Sequence, residues 1–250
     1  MLTATRASYL CSAIAAAPPA LRPHVFYRTG AFESLAATLG PRLSLPDSRF
    51  FRPAIANALG SKLFELIVER RCYIRFVELC FLESLQPTYE EMQLVFATQL
   101  FVEYNLLSLP FEKAGEPLTP LQDCVRLSLY IAAQQMILGA PATAVFIRII
   151  AAQLKASLEK VDVKSLCVSN RELLLWVSFI MAHISGGEQD SAWCITQISA
   201  LEDSLGLTTT RQVEEVLRGF HHFGETFSET ISTVQATIWS DLNHLVEDAL

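Results

Sequence analysis

The chain has 250 residues, 51% of them apolar and 18% charged, with a net charge of −7. That composition supports a sizeable core and excludes the disordered class. No apolar run reaches the roughly 18 residues a membrane-crossing helix needs; the longest, Leu173 to Ile184, stops at Ser185-Gly186-Gly187. The charge is uneven: residues 1–75 carry ten Lys/Arg against four Asp/Glu, and residues 76–250 carry nine against 22. Most of the molecule should therefore repel nucleic acid.

At the N-terminus, Arg6 ahead of Tyr9 to Ala17 loosely imitates a signal peptide. The apolar part is short, Ala-rich and interrupted by Cys11 and Ser12, so it reads as an N-terminal helix. Pro18, Pro19, Pro23, Pro41, Pro46 and Pro53 then break residues 1–60 into short helices and turns. One such helix holds Phe32, Leu35, Ala36 and Leu39 and stops at Gly40-Pro41. Residues 1–60 are expected to pack as a Pro-rich segment on a helical domain spanning 61–250.

From Ser61, read as an N-cap, Leu63, Leu66, Ile67, Ile74, Val77 and Phe81 recur at helical spacing, with Arg70, Arg71 and Arg75 on the opposite side. Gln86-Pro87 ends that helix. Thr88 and Glu91 form a capping-box signature for the next, whose inner side carries Met92, Val95, Phe96, Gln99, Val102 and Leu106 and which Pro110 ends. After a polar loop, Thr119-Pro120 starts a helix with stripe Leu121, Val125, Leu129, Ala132 and Met136. Val145 to Leu158 follows, with Ile149, Ala152 and Ala156 expected inward.

Asn170 is expected to cap a helix that is apolar almost all round from Leu173 to Ile184, and so central to the fold. Asp190 is expected to cap the next, which ends at Leu205-Gly206-Leu207 with Gly206 in the C-terminal cap role. Thr210 opens a short helix, and a last long one takes Phe223, Phe227, Ile231, Val234, Ile238, Leu242 and Leu245. Strand and hairpin signals are nearly absent. The expected fold is all-α, an irregular array of about nine or ten helices.

The six cysteines, Cys11, Cys72, Cys80, Cys124, Cys167 and Cys194, include no C-x-x-C pair and read as reduced core thiols. A disulfide framework does not fit their spacing.

Four ordered pieces resemble the fungal-specific transcription factor domain, the helical regulatory region of fungal zinc-cluster regulators. They are Pro117–Ile131, with its Cys124-Val125-Arg126-Leu127 and Tyr130, the apolar Glu172–Ile180 with Leu174-Leu175-Trp176 and Phe179, Trp193 at the entry to the next helix, and Leu205-Gly206-Leu207 leading to Val213–Phe220. The resemblance spans roughly Ser61 to Asp241. It singles out Cys124, Arg126, Tyr130, Trp176, Phe179, Trp193 and Gly206 as family-matching positions. It implies a non-catalytic regulatory domain with protein partners, either a coregulator or a homodimer, a possible small-molecule effector and a nuclear location. A binuclear zinc cluster needs six cysteines within about 30 residues, whereas these run from Cys11 to Cys194. DNA is then reached only indirectly or through a module outside this sequence.

The remaining candidates each have a plainer reading. His221, His222 and Glu225 present an i, i+4 pair that could ligate a metal, but His24, His183 and His244 have no matching spacing. Ser157-Leu158-Glu159-Lys160 matches a bare Ser-x-x-Lys without its companion motifs and reads as a solvated helix end. Gly186-Gly187 has no preceding strand and reads as a helix break. Trp176, Trp193 and Trp239 read as core aromatics, or alternatively as the lining of an apolar pocket in a small-molecule-binding protein or enzyme. Residues 185–250 carry 11 acids against Arg211 and Arg218, interleaved with Phe220, Phe223, Phe227 and Trp239, a composition suited to a helical contact surface.

Overall fold

The structure, a computed structural model, describes residues 48–82, 88–111, 117–138, 144–185, 188–220 and 231–237. Helix accounts for 86% of these residues, and no strand occurs among them, so the fold class is all-α with eight α-helices in the described part. They are α1 (Pro53–Leu82), α2 (Tyr89–Ser108), α3 (Pro120–Leu138), α4 (Val145–Leu158), α5 (Val168–Ile184), α6 (Glu188–Leu205), α7 (Thr210–Arg218) and α8 (residues 231–237). Of three short 3-10 turns, Arg49–Phe51 leads into α1, while Leu109–Phe111 and Val163–Ser165 lie between helices. The expected helix around Phe32, the cysteine at 11 and most of the expected last helix lie outside the described residues.

The chain divides into two compact units. One is discontinuous, Ser48–Ala58 together with Pro120–Leu250; the other includes Leu59–Thr119. The Pro-rich stretch expected to pack on the main domain falls mostly outside the described residues. Its last part, residues 48–58, belongs with the C-terminal helices.

In the Leu59–Thr119 unit, α1 breaks at Gly60, whose φ of 72° and ψ of 164° are open to glycine and strained for other residues. Helical geometry resumes at Ser61, which is therefore inside the helix rather than its cap. Leu63, Leu66, Ile67 and Ile74 are buried as expected, but so is Arg70, placed on the solvent side by its charge. On α2, Gln99, Val102 and Leu106 are buried and Phe96 is exposed. Gln99 donates to Glu103 over 2.6 Å, which pairs the two polar groups along the helix as both leave water. The helix ends at Ser108, and the 3-10 turn carries the chain through Pro110.

The discontinuous unit is built around α5. Leu173 through Met181 and Ile184 are buried, and α5 touches α3, α4, α6 and α7. An apolar surface on all sides needs neighbours on all sides, and these four helices supply them. The helix begins earlier than expected. Cys167, extended at φ −69° and ψ 165°, holds the N-cap position without a side-chain bond. Asn170 lies inside the first turn, and its Oδ1 is buried with no hydrogen-bond partner among the described residues.

The end of α6 forms a two-bond glycine cap: Leu207 N–H donates to Glu202 C=O, Gly206 N–H donates to Asp203 C=O, and Gly206 takes φ 66°. At α7 the cap is Thr209 rather than Thr210. Gln212 stands three residues after Thr209, and the two exchange side-chain to backbone bonds in a capping box.

Residues 48–52 close the base of this unit. Phe50 is fully buried edge-on against Trp176 and Phe220, at centroid distances of 5.4 and 5.1 Å. Arg49 and Arg52 both pair with Glu172. Arg49 N–H and Ser48 Oγ both donate to the Gly219 carbonyl. A Cβ on Gly219 would lie 2.5 Å from the Arg49 side chain, so an added methyl has to push that side chain aside.

Candidate functional site

Helix α4 carries two apolar faces. Ile147, Ile150, Ala151, Leu154 and Ser157 are buried. Ile149, Ala152 and Ala156, expected inward, are not: Ala152 and Ala156 are exposed, Ile149 is half-buried, and Val145 is 70% exposed. The sequence offers two stripes of similar hydropathy. The bulkier one, with Ile147, Ile150 and Leu154, buries more apolar area and takes the core.

The outward stripe forms one wall of an open groove of about 590 Å³. Met181, Ile184 and Ser185, at the C-terminal end of α5, supply further lining, as does Asp190 from α6. Asp190 is inside the first turn of α6, not its cap, and instead accepts from Lys155 Nζ at 2.7 Å. That hydrogen bond, with the nearby carboxylates, holds the Lys155 ammonium above its ordinary pKa. Lys155 Nζ also stands 5.3 Å from the Trp193 ring centroid, a cation–π distance. Trp193, half-buried, thus braces the lysine at the groove.

Beneath the groove, Cys194 is buried, and its thiol approaches Ser185 Oγ at 3.5 Å. Burial pushes that thiol up from its ordinary pKa, which makes it a poor nucleophile. Burial does the same to Cys124, more strongly. Cys167 is exposed.

The family-matching positions form no common site. Cys124, Tyr130, Trp176 and Phe179 are core residues, each no more than 1% exposed. Arg126 is 7% exposed and donates twice to Asp123 Oδ1. Ser157 donates to Asp123 Oδ2 at 2.6 Å, so the carboxylate ties α3 to α4. That bond and its burial overturn the reading of Ser157 as a solvated helix end. Lys160 is exposed. Gly206 is a backbone cap, and Trp193 alone of the set stands by the groove.

Two carboxyls, Glu202 buried and Glu69 half-buried, are displaced in the same direction. Glu202, on α6, accepts from Gln235 of α8, and burial lifts its pKa to about 7. Glu69, on α1, is lifted to about 7 by burial and by Glu65. Burial lowers His183. The candidate pair His221 and His222 with Glu225, and Trp239, lie outside the described residues. Among the described residues no group of three or more His, Cys, Asp or Glu is placed to hold a metal ion, and no helix is long and apolar enough to cross a membrane.

The groove escaped the sequence because two apolar faces on one helix do not announce which is covered. The Asp123–Arg126 pair, not picked out from the sequence, has an i, i+3 spacing that could have shown it; nothing local points to its third member, Ser157. Comparison with protein-family models, with curated proteins and with solved structures finds no match.

Proposed function

We propose that this chain is a non-catalytic regulatory domain that works by docking a helix in the groove beside α4. The proposal joins the resemblance to the fungal transcription factor domain with one observation. The outward stripe of α4 is apolar over three turns and open to solvent at Val145, Ala152 and Ala156, with Ile149 half-buried, while its inward stripe is sealed. A helix apolar on both sides is ordinarily covered on both sides. In this reading the partner is a coregulator or a second copy, the location is the nucleus, and DNA is reached through other protein.

A reporter assay tests it. The chain is fused to an unrelated DNA-binding domain in a fungal cell, beside the same fusion carrying Ala152→Glu. The wild-type fusion should change reporter output and the variant should not. A silent wild-type fusion, or one indifferent to Ala152→Glu, overturns the proposal.

The groove volume supports a second reading. About 590 Å³ lies within the 300–1,000 Å³ range of small-molecule sites. The apolar effector would then lie near Trp193, since Phe50 and Phe220 fill the space around Trp176. Quenching of tryptophan fluorescence by an apolar dye, lost in Ala152→Glu, would favour that reading.

A further inference from the structure

We infer that the groove is closed by α4 of a second copy of this chain, packed antiparallel about a twofold axis; the inference rests on the interaction reading above. Three features of α4 carry it. Val145, Ile149, Ala152 and Ala156 follow a four-three-four spacing, the seam of a helix that meets another helix. The last two positions of the seam, Ala152 and Ala156, are alanine, which lets two helix backbones approach closely there.

The third feature is charge. Arg148 lines one end of the groove and Glu159 lines it 11 residues later, about 16 Å along the helix axis. Both are exposed, and neither forms an ion pair among the described residues. Lys155, between them, is drawn off to Asp190 and adds no unmatched charge at the centre.

An antiparallel copy brings Arg148 against Glu159 of the partner subunit, and the twofold axis repeats the pairing at the other end. A helix with a positive end, a negative end and a small-residue centre is complementary to itself when reversed, which is what a twofold interface requires. An unrelated helix would need all three matches separately.

Sedimentation velocity on the full chain, from about 1 to 100 µM, tests the inference. The wild type should form a dimer. Arg148→Glu and Glu159→Arg should each raise the dissociation constant at least about tenfold, since each turns two attractions into repulsions. The double variant Arg148→Glu/Glu159→Arg should restore the dimer. Circular dichroism of all four proteins should agree, because both positions are exposed. A wild type that stays monomeric, single variants that dimerise normally, or a double variant that fails to recover overturns the inference. A monomeric chain that still drives the Ala152-dependent reporter overturns the second copy and leaves the interaction reading standing.

Discussion

Helices α5 and α4 differ in how much of their apolar surface the fold covers. On α5, Leu173 through Met181 form an unbroken buried run, with α3, α4, α6 and α7 around it. On α4, Ile147, Ile150 and Leu154 are sealed while Ala152 and Ala156 stay open to solvent. Apolar sequence on several faces therefore means two things in one molecule. In α5 it marks the centre of packing; in α4 half of it is left over after packing is complete.

Substitutions separate the two. The largest effect belongs to Trp176→Ala, which empties a fully buried indole site beside Phe50 and Phe220 and should cost about 3–5 kcal/mol of stability in urea unfolding. A loss below about 1 kcal/mol would mean the ring is not enclosed. Leu154→Ala, on the sealed face of α4, should cost about 2–4 kcal/mol by the same measurement.

The Glu202 carboxyl makes the next contribution, through pH. Its folded pKa, about 7, lies above the ordinary 4.5. Below about pH 4.5 the group is protonated in folded and unfolded chains, and stability is whole. As pH rises toward 7 the unfolded chain gives up its proton first, so stability falls, and above 7 the loss is complete. Glu202→Gln should therefore gain on the order of 1 kcal/mol over wild type at pH 8. The gain should vanish at pH 4.5. An equal difference at both pH values would break the assignment.

Gly219→Ala should cost about 1 kcal/mol, since the new methyl displaces a flexible Arg49 side chain from its place near Glu172 rather than a rigid group. The smallest effect is expected from Ala152→Glu, within about 0.5 kcal/mol of wild type in unfolding, because the position is exposed. Set beside its expected abolition of reporter output, that near-zero change sharpens the contrast between the two faces: one holds the fold, the other serves something outside it.

The fold was legible where one force dominated. Val145 to Leu158 was bounded correctly, Pro120 opens α3, and Gly206 ends α6, because proline, glycine and helical periodicity act locally. The caps misplaced by a few residues, Asn170 for Cys167, Asp190 for the start at Glu188, and Thr210 for Thr209, have another origin. Several polar residues near each start offered similar bonds, and the choice among them was made differently at each. Asp190 was drawn to Lys155, and Gln212 selected Thr209. The groove and the seat of Phe50 depend on residues far apart in sequence, and no local pattern announces such meetings.

That seat has a bearing on how the protein is made. Ser48 bonds to Gly219, 171 residues further on. At ordinary elongation speeds, Phe50 and Ile55 leave the ribosome roughly 10–30 seconds before the surface that will cover them exists. Through that interval two fully apolar side chains wait without a home. A polypeptide released short of Gly219 would lack the carbonyl to which Ser48 and Arg49 donate, and so could not complete its own base.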